Sequence, residues 1–347
     1  MPEPYSVPSR NSVRKAGDIF RKEGATPEEL NFAINTLSQW RGLHSYPLNV
    51  FQTSLRKMAD GLEAPIIAQR LKRMPSITEK LIRFPTMSLE RMQDIGGIRI
   101  ILKRVSDVKN LHNRFRSATR WKHKLVLPPH DYIEAPKKDG YRSLHQVFKF
   151  ESRAHPELNG LFIELQLRTR LQHAWATAVE TLGIIEKSSF KTGEGSDDFK
   201  RFFKLSSALF AIEEKQPVLD ELKDFTRKEL IGEIIQYEER LQISTKLRGL
   251  ALSAKHIESS SSNAGGYHLM QLDVANNRIS LIHFSKKQLD IAEQFYKNQE
   301  QGTKNNPNIS LVLISAGSVK EIKKAYPNYF LDTESFIKTL QQICAEG

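Results

Sequence analysis

Leu161-Phe-Ile-Glu-Leu-Gln-Leu-Arg-Thr169 is the stretch on which the fold turns. In an extended strand Leu161, Ile163, Leu165 and Leu167 fall on one face, and Phe162, Glu164, Gln166 and Arg168 on the other. Aligning Glu, Gln and Arg along one side is costly unless that side lines a wet cleft or meets ionic partners. The outer face of an antiparallel sheet would satisfy the same pattern.

Working outward, residues 98–102 (Ile-Arg-Ile-Ile-Leu) and 145–150 are β-like, and 170–182 return to a helical period. Thr26 with Glu28 and Glu29 reads as a helix start, followed by the apolar stripe Leu30, Phe32, Ala33, Ile34 and Leu37. Helical pattern is also expected over 48–62, over 65–81, and in one long amphipathic helix over 218–256. Residues 189–198 read as a polar loop. Ser259-Ser-Ser-Ser-Asn-Ala-Gly-Gly266 reads as a linker. Beyond it, 267–274 and 278–284 look like a hairpin around Asn276-Asn277, then a helix, a buried strand over 309–315 and two short helices. No internal repeat is evident.

The charge is concentrated. The 347 residues carry 52 Lys and Arg against 40 Asp and Glu, a net +12. Residues 51–150 hold 21 basic and 9 acidic side chains, so the whole excess sits in that third of the chain. Such a field raises the local concentration of polyphosphates or nucleic acid, though a solvated basic face would look the same. At 39% hydrophobic residues, with no apolar run near the ~20 residues of a spanning helix, an integral membrane protein is excluded. Met1-Pro-Glu-Pro-Tyr5 has no apolar signal region. The single cysteine, Cys344, can form neither an internal disulfide nor a cysteine-based zinc site, and a cytoplasmic location is expected.

Three clusters can carry chemistry. Arg70-Leu-Lys72-Arg73-Met-Pro-Ser76, with Lys80, places four cations around a Pro-Ser turn, suited to a triphosphate or to a solvated helix face. Asp94-Ile-Gly-Gly97-Ile-Arg99 reads either as a carboxylate at a strand edge, where Mg²⁺ can be held, or as a helix-ending turn with a surface Asp. The strand with Glu164 is the third, with His173 and Trp175 on the helix after it. Between them, Gly140 before Tyr141 suggests a tight turn presenting an aromatic ring to a base, or packing it in the core. His130-Asp131 lacks the upstream histidines of a metal phosphohydrolase.

The order Arg70-x-Lys72…Ser76…Lys80, Asp94-Ile-Gly-Gly-Ile-Arg99, Asp131-Tyr-Ile…Pro136-Lys137…Gly140-Tyr141…Ser143-Leu-His145 and Glu164-x-Gln166-x-Arg168-Thr169…His173-Ala-Trp175 resembles the RelA/SpoT synthetase domain over residues 50–185. The resemblance implies an α+β fold, a nucleotidyltransferase-like mixed sheet flanked by helices. It also implies Mg²⁺-dependent transfer of pyrophosphate from ATP to a ribose 3′-hydroxyl, releasing AMP. Arg70, Lys72, Ser76, Lys80 and Arg99 would hold ATP. Asp94 and Glu164 would be the metal and catalytic carboxylates. Lys137, Tyr141, His145, Gln166, Arg168 and His173 would arrange the acceptor, with Tyr141 stacked on its base.

Two positions depart from the family pattern: Asp139 before Gly140, and Glu180-Thr181 after the Trp175 motif where a Glu-His pair is common. Both lie on the acceptor side. ATP use is therefore the firmer half of the reading; the acceptor expected from the resemblance is GDP or GTP, giving a (p)ppGpp-type alarmone, or the 3′ CCA end of tRNA in a toxic variant. An idle RNA-binding regulator is the non-enzymatic alternative. The expected division is a helical region 1–49, the synthetase-like domain 50–185, a helical extension 186–258, a linker 259–266, and a small α/β module 267–347. That module carries no legible motif and could gate the site, bind a partner protein or build a homo-oligomer.

Overall fold

A computed structural model describes residues 5–118, 121–185, 197–241, 243–244, 247, 266–273, 278–303, 306, 309–316 and 333–346. Its strands are β1 (Ile66–Leu71), β2 (Gly96–Leu102), β3 (Lys124–Asp131), β4 (Leu144–Lys149), β5 (Phe162–Thr169), β6 (Gly266–Asp273), β7 (Arg278–Phe284) and β8 (Ile309–Ala316). They form one sheet in the order β3-β4-β5-β2-β1-β8-β6-β7. β2 and β5 run parallel, and the other paired neighbours are antiparallel. The expected mixed sheet flanked by helices is present.

The helices are α1 (Arg10–Ile19), α2 (Pro27–Gly42), α3 (Ser45–Met58), α4 (Met74–Arg83), α5 (Val105–Ser117), α6 (Arg170–Ile185), α7 (Asp197–Glu213), α8 (Arg227–Leu241), α9 (Leu289–Thr303) and α10 (Glu334–Ala345). α2 starts where its sequence demands. Thr26 accepts from the Glu29 N–H, the Glu29 carboxylate accepts from the Thr26 N–H, and Pro27 occupies the first turn.

The alternation read in the Glu164 stretch is realised. Ile163, Leu165 and Leu167 are wholly buried, together with Ile98 and Ile100 of β2, against Leu48, Phe51 and Leu55 of α3 and Val108, Leu111 and Phe115 of α5. The opposite face of the same strands is left for polar groups. A second core joins Phe202, Phe203 and Phe210 of α7, Leu182 of α6 and Leu230 of α8 to Phe336 and Leu340 of α10.

Two expectations are corrected. Residues 65–81 are not one helix: Ile66–Leu71 is strand β1, held between β2 and β8, and the helix starts only at Met74. Ile66 and Ile67 pair with β2, and this ladder overrides the helical period of the stretch. The helix expected over 218–256 begins at Arg227, after a single 3₁₀ turn at Asp220–Leu222. Thr226 and Glu229 bond reciprocally at that point, which sets the start. Most of 242–256 lies outside the described residues, as do most of the expected polar loop at 189–198, the linker except Gly266, and the Asn276-Asn277 turn.

The hairpin expected over 267–284 is β6 and β7. The segment 267–347 contributes its strands to the same sheet as β1, and its last helix to the second core. Among the described residues no helix is long and apolar enough to cross a membrane.

Candidate active site

The register of the sheet builds the site. Arg70 of β1 lies opposite Gly97 of β2, Gly97 opposite Glu164 of β5, and Glu164 opposite Val147 of β4. The next row is Arg99, Gln166, His145 and His130. Since residues in register share a face, these rows floor one cleft, a cavity of about 410 Å³. Gly97 leaves the floor open between Arg70 and Glu164. A Cβ there would meet only two backbone oxygens, at 3.9 and 4.0 Å.

Of the residues singled out in the sequence, Arg70, Lys72, Lys80, Asp94, Arg99, Lys137, Tyr141, His145, Glu164, Gln166 and Arg168 all line this cavity. Ser76 and His173 do not. Ser76 is half-buried on the third residue of α4, and His173 is buried on α6, where its carbonyl accepts from Thr177 Oγ1. Gln93, His130, Tyr132 and Asp139 line the cleft but were not singled out as site residues. The signal for His130 and Tyr132 was their two-residue spacing, which puts both rings on one side of the chain.

One end of the cleft is cationic around a carboxylate. Asp94, just ahead of β2, accepts at Oδ2 from Lys80 Nζ at 2.8 Å and Lys72 Nζ at 3.1 Å. Burial alone would raise its pKa, but the two ammonium groups outweigh burial and hold it below the usual carboxylate range. Burial in turn draws the Lys72 pKa downward against the pull of Asp94. Asp94 Oδ1 is buried with no hydrogen-bond partner.

The other end is a closed ring of hydrogen bonds around Glu164. Arg168 Nη2 donates to Gln166 Oε1 at 3.1 Å, and Gln166 Nε2 donates to Glu164 Oε2 at 2.8 Å. Glu164 Oε1 lies 3.0 Å from His145 Nδ1, and His145 Nε2 lies 2.9 Å from the Tyr141 hydroxyl. Arg168 Nη2 closes the ring on that hydroxyl at 3.1 Å.

Burial would discharge His145, but Tyr141 and Glu164 outweigh it and bring its pKa up to about 9. As imidazolium it donates from both ring nitrogens. Burial would likewise keep Tyr141 protonated, yet Arg168 and His145 bring the phenol down to about 7. Glu164, buried but facing His145 and Gln166, is held far below the ordinary carboxylate range. Its charge and orientation are therefore fixed before any ligand arrives.

The Tyr141 turn is pinned from behind. Gly140 has φ +93°, and its carbonyl accepts from Ser207 Oγ of α7 at 2.6 Å. Asp139 Oδ1 accepts from the Tyr141 N–H at 2.9 Å. Tyr141 is only 9% exposed, whereas Tyr132 is half-buried and His130 exposed, with their rings nearly parallel at 5.8 Å. Lys137 Nζ sits 4.6 Å from the Tyr132 ring centre and 5.1 Å from that of Tyr141. An aromatic staircase thus climbs from the buried ring of hydrogen bonds to the surface.

Residues 69–194 match the family model described as the region found in RelA / SpoT proteins. The GTP pyrophosphokinase YjbM of Bacillus subtilis is 32% identical over 118 residues, covering 33% of this chain and 54% of that protein. YwaC of the same organism is 32% identical over 113 residues, 31% and 52%. The chain thus spans about half the length of these curated relatives. Among solved structures, small alarmone synthetase 1 from Bacillus subtilis bound to its product pppGpp is 23% identical, covering 51% of this chain and 94% of that one, with a TM-score of 0.43. A GTP pyrophosphokinase family protein from Streptococcus pneumoniae is 23% identical, covering 60% and 98%, with a TM-score of 0.40.

Proposed function

We propose, on the premise that residues 69–194 are a RelA/SpoT region, that the chain is a cytoplasmic ATP-dependent pyrophosphokinase acting on the 3′-hydroxyl of GDP or GTP. The observation that carries this reading is a pair of carboxylates, Asp94 and Glu164, in one cation-lined cleft with the bare backbone of Gly97 between β1 and β5. The relatives named GTP pyrophosphokinase support the same reading.

In this reaction the acceptor 3′-oxygen attacks the β-phosphorus of ATP. The bond from that phosphorus to the α,β-bridging oxygen breaks, AMP departs, and the hydroxyl proton leaves with a base. Such transfers need positioning and neutralisation of charge more than covalent help. Arg70, Lys72, Lys80 and Arg99 supply the positive wall for the triphosphate. Glu164, oriented at both oxygens, accepts the hydroxyl hydrogen bond and takes the proton late, once the 3′-oxygen is bonding to phosphorus and its proton is acidic enough for so weak a base.

Asp94 suits Mg²⁺. Its buried Oδ1 has no partner, and Mg²⁺ takes one or two carboxylates plus substrate oxygens. Glu164, with both oxygens engaged, fits less directly as a ligand. The ion would supply charge neutralisation at the phosphates. Among the described residues no group of three or more His, Cys, Asp or Glu is assembled for a metal.

A second reading, the 3′ end of a tRNA as acceptor, is favoured by the His130–Tyr132 staircase and by the basic excess of residues 51–150. A base stacked on an aromatic ring gains about 1–3 kcal/mol, and a polynucleotide has more than one base to stack.

Incubation with radiolabelled ATP and Mg²⁺, with GDP, GTP or deacylated tRNA in separate reactions, decides between them. Label on the guanine nucleotides supports the first reading and label on tRNA the second. Label on none leaves a binding protein. Glu164→Gln should lower turnover on the order of 10²–10⁴-fold if Glu164 is the base, and near-normal turnover refutes that role.

A further inference from the structure

Among the described residues, the segment from Gly266 onward reaches the donor side of the cleft through β8, Tyr267 and Glu300. β8 pairs with β1 at Gln69 and Arg70, the strand segment that presents Arg70 to the cleft. Tyr267 of β6 accepts from Asn49 Nδ2 at 3.1 Å, and Asn49 Oδ1 accepts from Gln69 Nε2 at 2.9 Å. The third contact is the most directed. Glu300 of α9 accepts at Oε1 from the Met74 N–H at 3.1 Å, which is the first backbone donor of α4. The Tyr296 hydroxyl donates to the same oxygen at 2.6 Å, and Arg41 of α2 donates to Oε2 at 3.0 Å.

These groups are enclosed. The Arg41 side chain is 5% exposed, that of Glu300 12%, and the guanidinium lies 4.2 Å from the Tyr296 ring centre. A carboxylate at a helix N-terminus satisfies a donor that has no intrahelical acceptor and complements the helix dipole. In low-dielectric surroundings such an arrangement is kept only when every partner is in place. α4 in turn carries Lys80 to Asp94. The chain of contacts therefore runs from Arg41 and Tyr296, through Glu300, into the first turn of α4 and on to the cationic end of the cleft.

We infer that Glu300 is a positioning residue for the triphosphate: it holds the first turn of α4, and so the placement of Lys80, from the segment 267–347. The inference rests on reading the cleft as an ATP site, but its structural half does not. That segment is then a constituent of the donor wall, and Glu300 acts through α4 without touching the nucleotide.

The test is a substrate split. Glu300→Ala should raise KM for ATP on the order of tenfold and leave KM for the acceptor within about twofold. Glu300→Gln together with Arg41→Met, which keeps an oxygen on the Met74 N–H without leaving the guanidinium against an amide donor, should restore most of the ATP KM. Backbone hydrogen exchange at the Met74, Ser76 and Ile77 amides should quicken in Glu300→Ala and not in the Arg41→Met, Glu300→Gln pair. If Glu300→Ala does not fold, Arg41→Met with Glu300→Gln removes both charges and keeps the oxygen, and Arg41→Met with Glu300→Leu removes it. Only the second pair should lose ATP affinity. Equal losses on both substrates, unchanged exchange at those amides, or faster turnover than the parent protein would each overturn the inference. Should the parent protein transfer no label from ATP, the proposed function fails, and the exchange at those amides still decides the role of Glu300.

Discussion

Tyr141→Phe separates the two roles proposed for that ring. Phe keeps the apolar body in the second core and keeps a face for stacking, but removes the hydroxyl that accepts from Arg168 Nη2 at 3.1 Å and meets His145 Nε2 at 2.9 Å. Each is a charge-assisted bond, worth about 1.5–3 kcal/mol. Arg168, 2% exposed, still donates to Gln166, whereas His145 Nε2 is left facing a ring edge. The net loss is therefore nearer one such bond than two, about 2–3 kcal/mol in a urea denaturation curve. With its Tyr141 partner gone, the imidazolium holds Glu164 less firmly. If roughly 1.4–2.8 kcal/mol of that loss reaches the transition state, kcat falls about 10–100-fold. Acceptor KM should move little, because the ring remains. The assay is label transfer from ATP at saturating acceptor, with pre-steady-state and steady-state phases compared. Unchanged kcat and unchanged stability would refute the hydrogen-bonded ring as the device that orients Glu164, and would leave Tyr141 as a platform alone.

Two neighbouring glycines make opposite predictions. A Cβ on Gly96 would lie 2.9 Å from Ile163 Cδ1 and 3.2 Å from His44 Cβ, both buried, so Gly96→Ala should cost about 1–3 kcal/mol, read as a lowered melting temperature. Gly97→Val should leave melting nearly unchanged and abolish most transfer by filling the cleft floor; a large melting shift there would contradict the open floor. His44 carries the pH prediction. Burial chiefly brings its pKa down to about 4 from the ordinary 6.5, so the unfolded chain takes up the proton first as pH falls. Stability is thus fully present above about 6.5 and is lost on descent towards about 4, at up to about 1.4 kcal/mol per pH unit. His123, also lowered to about 4, acts in the same sense. His44→Gln should flatten the slope of urea midpoint against pH across that window; an identical slope would place the effect elsewhere.

The Glu164 row of the cleft was legible because a strand's period of two sorts its side chains between two faces. Once Glu164, Gln166 and Arg168 share a face, pairing with His145 and Arg99 needs only register. Lys72, Lys80, Asp94, Lys137 and Tyr141 lie off the strands and rested on the family resemblance, and with Arg70 they bring to eleven the number of the thirteen residues singled out that line the cavity. Ser76 and His173 failed to join for a different reason. Both are on helices, where the azimuth depends on packing that a linear pattern does not record. The strand at 66–71 was misread because Ile66, Ile67 and Leu71 fit either period over so short a span. Its partner on one side, β8, lies more than two hundred residues away, and the Glu300 contact with Met74 is equally remote. Neither distance leaves a local trace.

The sheet order also has a consequence for birth on the ribosome. β1 is completed at Leu71, but the strand that pairs with its other edge at Gln69 and Arg70 ends at Ala316. At roughly 5–20 residues per second, that edge waits roughly 12–50 s for its neighbour to be translated. For that interval the nascent chain carries unpaired amides at Gln69 and Arg70, beside the cleft, a surface apt to recruit chaperones or stray strands. The cleft wall built on β1 is therefore completed late in synthesis, when β8 pairs with it.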